Sequence, residues 1–484
     1  GAIFLSDSTD GKKEFEVYHA GKGETPEDYN DYTPGQAVLA SGQITKVFKQ
    51  AVIKRDAPCI ISSYMRMENE KISRTPEEMP DAVNYTSFPS NQEKSAVGFT
   101  ISWREYEKLA DNINNGVTKV EAYLETDQKT DKLEILTAKS GQKNSSKKPI
   151  LLTAHLCHPK PGANDNASGA ALLAELTRVL QEINPEREIY SLWIPEMFGT
   201  AALLDTDWFN KDFELAINFD MVGADQAQTG STMNIFSTPW SVPSFLSELM
   251  AERLASSDFR WKQNSYAGGT DHFILANPQV GIPAISLTQQ PDRYYHTNQD
   301  TADKCSMKTL EWVGKSVLNL IYDLIEPEKE VISATAGRIL NNYYRDLGQA
   351  KNELTKKYLN YLTYQKLIKL KEYGEIGPAE NWLKPQLGNF QLPEFKADFR
   401  KISGPIANSH LDIDGMIELS NWRDKFDSWG VFQDELINFL ELGFNKDQAI
   451  LLAGEEFNLS EDIKAYAEQF LNKAISSNLI KDLK

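Results

Sequence analysis

The chain is short of cysteine, of positive charge and of long apolar runs. Its 484 residues include only three cysteines, Cys59, Cys157 and Cys305, which cannot supply a disulfide framework. No run approaches the ~18 continuous apolar residues of a transmembrane helix, so we expect no membrane partner. The formal net charge of −18 argues against nucleic-acid binding and favours a solvated acidic surface. The low cysteine content favours the cytoplasm over secretion.

A targeting segment is also missing from the start of the chain, which begins at Gly1. We expect either that a leader has been removed or that the true N-terminus lies upstream. The second is favoured because residues 2–5 look like a strand, as if the domain began without its first strands.

Patterning divides the chain into three parts. Residues 1–127 form a β-rich module of strands and helices, with a polar, proline-containing loop at residues 68–93. Residues 128–327 alternate strand and helix patterns, which predicts an α/β fold with a mostly parallel, twisted sheet flanked by helices. Residues 328–484 are mainly helical.

The helical part carries no recognisable chemistry. Residues 332–373 predict a long helix or a helical hairpin, and the proline-containing segment 374–414 is expected to be irregular. The three helical stretches after residue 430 leave two interpretations, a helix-turn-helix unit or a packing module. The acidity of the chain favours packing, which includes homo-oligomerisation through these helices.

The stretch LLTAHLCHPKPGANDNASG at residues 151–169 combines potential metal ligands. His155 and His158 follow an apolar run, and Asp165 precedes a helical pattern. Two imidazoles and one carboxylate therefore converge between a strand and the next helix. Zinc prefers this mixture of nitrogen and oxygen ligands.

Further candidates follow the next predicted strands. They are Glu196 in WIPEMFGT, Asp220 in INFDMVG, Asp271 in GGTDHF and His296 in RYYHTNQDT. Each alone fits an ordinary helix cap, turn or core position. Because ligand sites in open α/β sheets lie outside the carboxyl ends of the strands, their coincidence at successive strand ends predicts one common site.

The order of these motifs resembles the zinc aminopeptidases with two co-catalytic metals. Their superfamily includes glutamate carboxypeptidase and the transferrin receptor ectodomain. The resemblance covers most of residues 131–326, and its most specific parts are GANDNASG at 162–169 and YHTNQDT at 295–301.

The resemblance assigns a role to each ligand. It implies that Asp165 bridges two zinc ions, that His155 and Asp220 bind the first ion, and that Glu196 and His296 bind the second. Two such ions can polarise a carbonyl and lower the pKa of a bridging water.

Two further residues receive roles next to the ligands. Tyr295 is expected to donate a hydrogen bond to the oxyanion that develops during hydrolysis. Asp271 is expected to orient neighbouring groups or to sense the free amine of the substrate, and the adjacent His272 is expected to be structural.

The chain departs from the family pattern at its first histidine motif. The family has His-x-Asp, whereas this chain has His155-Leu156-Cys157 followed by His158. The aspartate normally orients the ligand histidine. Two pairs of alternatives stay open: Cys157 is a weak substitute or a thiolate ligand, and His158 takes over the orienting role or replaces His155 as the ligand.

A second departure concerns the catalytic glutamates. The family has two in succession, the first a general base and the second a ligand, but Pro195-Glu196-Met197 offers one. Glu196 is therefore either the base or the ligand, and the number of zinc ions is one or two. One ion with one glutamate would still support hydrolysis.

Residues 1–127 resemble the protease-associated domain, a non-catalytic lid or spacer of peptidases. The resemblance rests on GAIFLSD at 1–7 and on the patterns of residues 46–63 and 96–126. Together the resemblances imply a zinc-dependent exopeptidase, of the aminopeptidase type, that acts on peptides. The alternatives are an amidohydrolase or glutaminyl-cyclase-like enzyme on the same fold, and a catalytically inert binding protein.

Overall fold

The computed structural model describes the chain except for a few residues and short segments. The residues outside the description are 91, 117–118, 128, 133, 144–145, 256, 384–389, 397–399, 401–411, 427, 461 and 482–484. Within the described part, no helix has the length and apolar character needed to cross a bilayer.

A five-stranded sheet organises the beginning of the chain. Its strands are β1 (Lys13–His19), β2 (Ala37–Ala40), β3 (Cys59–Ser62), β4 (Val97–Thr100) and β5 (Lys119–Ala122), in the order β4-β3-β2-β1-β5. Strands β1 to β4 pair in parallel, and β5 is antiparallel to β1. The central strands β2 and β3 are buried along their whole length, as is usual in a parallel sheet covered on both faces.

Two helices of this first unit join its strands. They are α1 (Ile44–Phe48), which continues as a π-helical turn over Lys49–Ile53, and α2 (Trp103–Asn114). Residues 2–5, predicted to form a strand, make only isolated bridges from Ala2 and Phe4, so that prediction is wrong. The resemblance of this unit to a protease-associated domain stays a prediction.

The second sheet has seven strands and carries the predicted ligands. They are β6 (Leu136–Ser140), β7 (Ile150–His155), β8 (Ile189–Ile194), β9 (Leu215–Phe219), β10 (Thr232–Phe236), β11 (Trp261–Asn264) and β12 (Ala284–Gln290). Their order is β11-β10-β12-β9-β7-β8-β6, with antiparallel pairing only at β6–β8 and β10–β12 among the described strands. The predicted α/β class with a mostly parallel sheet is confirmed.

Helices cover both faces of this sheet. The elements are α3 (Gly169–Ile183), α4 (Phe198–Leu204), α5 (Gln226–Thr229), α6 (Leu246–Leu254), α7 (His272–Leu275) and α8 (Met307–Asp323). Leu173 of α3, Leu249 of α6 and Val317 of α8 share one core with the strands. Leu275 of α7 belongs to the core on the opposite face.

The rest of the chain is helical, as predicted. The helices are α9 (Lys329–Gln349), α10 (Glu353–Lys371), α11 (Ala379–Leu383), α12 (Ile413–Lys425), α13 (Trp429–Glu441), α14 (Lys446–Glu456) and α15 (Ile463–Ser476). Helices α9 and α10 form the predicted hairpin and add Ile339 and Leu367 to the core of the second sheet. Much of the segment 374–414, predicted to be irregular, lies outside the described residues.

Candidate metal centre

His155 is the last residue of β7 and faces two carboxylates. Its Nδ1 lies 2.9 Å from the carbonyl oxygen of Cys157, which leaves Nε2 for the interior. Nε2 lies 3.4 Å from Oδ1 of Asp165 and 3.5 Å from Oδ1 of Asp220. A backbone carbonyl thus orients the ring, the task that the resemblance gives to a carboxylate side chain.

Asp165 lies in a break of the chain before α3. Its φ of −105° and ψ of 97° are not helical, so the carboxylate points away from the helix that follows. The carboxylate of Asp300 accepts the backbone N–H groups of Asn164 at 2.8 Å and Asp165 at 3.0 Å. The YHTNQDT motif therefore anchors the GANDNASG motif through its aspartate.

Asn166 ties this loop to the end of β9. Its side-chain amide donates to the carbonyl of Phe219 at 2.9 Å and accepts the N–H of Met221 at 3.0 Å. A Cβ on Gly169 would lie 2.4 Å from the Phe219 oxygen, so only glycine allows this approach. The contacts hold Asp165 beside Asp220, the residue between Phe219 and Met221.

The second oxygen of Asp165 faces two more histidines. Its Oδ2 lies 3.2 Å from Nε2 of His158 and 3.0 Å from Nε2 of His296. His296 has a φ of 57°, which is uncommon for a non-glycine residue and directs its ring into the site. The carboxylate of Asp165 therefore presents one oxygen to His155 and the other to His158 and His296.

Glu196 follows β8 in a tight turn. The N–H of Phe198 donates to the Glu196 carbonyl at 2.5 Å, and Met197 between them has φ 55° and ψ −51°. This is the strained form of the γ-turn, in which the surroundings must hold the backbone. The Glu196 N–H donates to Sγ of Cys157 at 3.0 Å, so the cysteine positions the glutamate.

The carboxylate of Asp271 forms a hydrogen bond with the same turn. Its Oδ1 accepts the N–H of Met197 at 2.8 Å and the hydroxyl of Thr200, while Oδ2 has no hydrogen-bond partner among the described residues. Burial raises the pKa of Asp271 to about 6. His272 is buried and its Nε2 bonds the carbonyl of Ala267, which fits the structural role expected for it.

The charges of the site are strongly coupled. Burial opposes ionisation of Asp165, but the hydrogen bonds that His155, His158 and His296 donate when their rings are protonated hold its pKa well below the usual value. Burial raises the pKa of Glu196 well above its ordinary value, although His155 opposes this, and the neighbouring Asp220 and Asp271 add to the rise. Carboxylates this close repel one another unless cations or protons lie among them.

The donor set fits zinc. In the described part of the chain, two groups of three potential ligands have their ligand atoms within 4.8 Å of one another, namely His155, Glu196 and Asp220, and His158, Asp165 and His296. Imidazole nitrogens and carboxylate oxygens are usual zinc ligands. The grouping differs from the expected one, because Glu196 lies with His155 and Asp220, and His158 takes the place beside His296.

Two tyrosines flank His296. The ring of Tyr295 stacks on the imidazole with centroids 3.7 Å apart, and the ring of Tyr85 lies 4.5 Å from it on a tilted plane. Sequence reasoning singled out Tyr295 and missed Tyr85, because the loop of residues 68–93 has no periodicity. Asp300 was also missed, although its position in YHTNQDT was a usable signal.

A cavity of about 1,100 Å³ opens beside these ligands. Tyr85, His155 and His158 lie on its wall, together with residues 159–163 of the loop before Asp165. Its size suits a small ligand such as a short peptide.

Comparison with known proteins finds a family model that matches the segment carrying this site. Residues 135–321 match the model of peptidase family M28. Aminopeptidase YwaD of Bacillus subtilis is 25% identical over 241 residues, which cover 44% of this chain and 52% of the relative. A putative polysaccharide biosynthesis protein with an aminopeptidase-like domain, from Clostridium acetobutylicum, is 26% identical over 36% of this chain and 40% of its own length.

A solved structure shows the same fold. The zinc aminopeptidase BSAP from Bacillus subtilis has a TM-score of 0.51 and 19% identity, over 68% of this chain and 80% of its own. The chain spans about half of the length of the curated relatives it matches. The resemblance of the motifs to this family is confirmed. The family model does not extend to residues 1–134 and 322–484.

Proposed function

We propose, on the premise that residues 135–321 belong to peptidase family M28, that this chain is a zinc-dependent exopeptidase of the aminopeptidase type. Its substrates are peptides with a free N-terminus. The observation that carries the proposal is the carboxylate of Asp165, which turns one oxygen to each of two groups of potential zinc ligands.

We assign the ligands from the grouping of the side chains. His155, Asp165 and Asp220 would hold the first ion, and His158, Asp165 and His296 would hold the second. Zinc at these positions would polarise the scissile carbonyl and lower the pKa of an attacking water. On this assignment His158 takes the position that the family gives to its second glutamate.

Glu196 is then free to act as the general base. Its side chain is half-buried beside the first group, and the γ-turn, the Cys157 sulfur and Asp271 fix its backbone. A positioned carboxylate of raised pKa can take a proton from water and pass it to the leaving amine. Tyr295, stacked on His296, remains the candidate for hydrogen bonding to the developing oxyanion.

The test combines zinc content with substrate choice. Purified protein is dialysed against zinc-free buffer, its zinc is counted by atomic absorption, and peptides with free and acetylated N-termini are offered as substrates. We expect retained zinc and hydrolysis of the free-amine peptides alone. Loss of all zinc, or equal hydrolysis of acetylated peptides, contradicts an aminopeptidase, and cyclisation of N-terminal glutamine would indicate a cyclase-like enzyme.

A further inference from the structure

We propose that the hydroxyl of Tyr85 competes with zinc for Nε2 of His158, and that the loop of residues 68–93 thereby sets the affinity of the second zinc position. The inference rests on the proposed function only in requiring that zinc binds His158, Asp165 and His296. It concerns a positioning residue from outside the segment that matches the family.

The hydrogen bonds of His158 define which of its nitrogens is available. Nδ1 faces the carbonyl of Lys160, which can only accept, so Nδ1 carries a proton. In the neutral ring, Nε2 then presents a lone pair, and the Tyr85 O–H donates to it. A zinc ion needs the same lone pair.

The surroundings of Nε2 of His158 favour the binding of a cation. Oδ2 of Asp165 lies 3.2 Å from Nε2 of His158, and both atoms are acceptors when the ring is neutral. A cation between them would satisfy both, whereas the Tyr85 hydroxyl satisfies only the nitrogen. In the described part of the chain, Nε2 of His155, the corresponding ligand of the first position, faces Asp165 at 3.4 Å and Asp220 at 3.5 Å.

Tyr85 is firmly held at this place. It is buried, and its backbone N–H donates to the carbonyl of His296 at 3.2 Å. The N–H of the preceding Val83 donates to the side chain of Asn298 at 2.8 Å. The loop is thus attached to the chain at His296 and at Asn298, which holds the Tyr85 ring beside His158.

A buried arginine fixes the base of the same loop. The guanidinium of Arg74 donates to the carbonyl of Arg66 at 2.8 Å and to that of Arg293 at 2.6 Å. Arg293 lies three residues before His296. Hydrogen bonds therefore connect Tyr85 with the segment that carries His296. In the chain, about 70 residues separate Tyr85 from His158.

The experiment is a calorimetric titration of zinc into metal-free protein. The variant Tyr85→Phe removes the hydroxyl and keeps the ring beside His296. We expect the second ion to bind about 2- to 13-fold more tightly, the range that corresponds to a net hydrogen bond of 0.5–1.5 kcal/mol, with the first ion unchanged. Tyr85→Leu, which also lacks the hydroxyl, should tighten the second ion if Tyr85→Phe does not fold.

A matched control is Tyr29→Phe. Tyr29 is buried in the first unit, and its hydroxyl donates to the carbonyl of Gly23 at 2.9 Å. Removal of this hydroxyl tests whether the loss of any buried tyrosine hydroxyl changes zinc affinity through protein stability. Both zinc affinities should stay at the wild-type value in this control. His158→Ala should abolish the second binding event.

Two outcomes overturn the proposal. They are an unchanged or weaker second affinity in Tyr85→Phe, and a second ion that survives His158→Ala. If these occur while the wild-type enzyme still binds zinc and hydrolyses peptides, the proposed function stands and the competition fails. A wild-type chain that binds no zinc contradicts both.

Discussion

Glu196 has an unusual set of backbone supports. Its N–H is bound to the Cys157 sulfur, and the N–H of the following Met197 is bound to the buried carboxylate of Asp271. Both bonds stabilise a backbone conformation that is unfavourable for methionine. Strain of this kind is retained where the surrounding structure requires one orientation of a side chain, which agrees with a catalytic task for Glu196.

Replacement of Glu196 by glutamine tests whether this residue is a general base or a zinc ligand. The amide keeps the size of the side chain but cannot accept a proton from water at neutral pH. We expect kcat to fall about 10²- to 10⁴-fold while two zinc ions remain bound. Glu182→Gln, at an exposed position of α3, is the control. Loss of one zinc from the Glu196 variant would instead make this residue a ligand.

Cys157 provides a second prediction at the scale of single residues. The variant Cys157→Ala loses the sulfur that accepts the Glu196 N–H but keeps the backbone carbonyl that orients His155. We expect kcat to fall about 10- to 100-fold with unchanged zinc content. Cys305→Ala, at a cysteine that belongs to neither ligand group, should behave like the wild type. A loss of zinc in the Cys157 variant would identify a thiolate ligand.

At the scale of secondary-structure elements, a pair of buried carboxyl groups attaches the C-terminal helices to the sheet domain. Glu435 of α13 accepts the N–H of Ser241 at 2.7 Å and its hydroxyl at 2.9 Å. Glu456, at the end of α14, accepts the N–H of Trp240 at 3.1 Å. Burial raises the pKa of both carboxyl groups, and the charge of Glu435 raises that of Glu456 further, so protonation of Glu456 is favoured.

The attachment should depend on pH. Burial and the charge of Glu435 raise the pKa of Glu456 well above its usual value, and burial raises that of Asp434 to about 7. The folded state therefore keeps protons that the unfolded chain has lost above pH ~4.5. The contribution of these groups to stability is greatest below that pH and is lost as the pH rises through their raised pKa values.

The variant Glu456→Gln tests this dependence. Its amide oxygen can accept the Trp240 N–H and its NH₂ group can donate to Glu435 without any titration. Each unit of raised pKa costs about 1.4 kcal/mol at high pH, so the variant should be more stable than the wild type at pH 8. Urea unfolding at pH 5 and pH 8 measures the difference. The exposed Glu468→Gln should follow the wild type, and an identical pH slope in all three proteins would contradict the prediction.

At the scale of the whole molecule, the zinc site joins distant parts of the chain. Its proposed ligands lie on the ends of β7 and β9, in the loop before α3 and in the segment after β12, which Tyr85 contacts from the first unit. Bound ions therefore connect elements that are separated in sequence. Binding to the folded state alone raises its stability.

Removal of zinc should lower the melting temperature. At a zinc concentration 100-fold above the dissociation constant, binding contributes about 2.7 kcal/mol, which corresponds to roughly 5–10 °C for a unit of about 200 residues. Differential scanning calorimetry with EDTA and with added zinc measures the shift. Asp165→Asn should show a much smaller response, and a full zinc response in that variant would contradict the bridging role of Asp165.

The sequence by itself determined the fold class and singled out the potential ligands that the structure brings together. The apolar runs that end at His155 and just before Asp220 predict buried strands, and ligands at strand ends meet because parallel strands share one edge. The pattern of residues 332–373 predicts one long helix or a hairpin, and α9 and α10 form the hairpin. These features depend on residues that are close together in the chain.

The tertiary structure decided how the ligands are grouped. His158 joins Asp165 and His296, and Glu196 joins His155, because the paths of two irregular loops place them there. The contact of Tyr85 with His158 depends on the docking of a loop without periodicity onto the segment around His296. Packing between residues far apart in sequence sets such contacts, and no local pattern of residues records it.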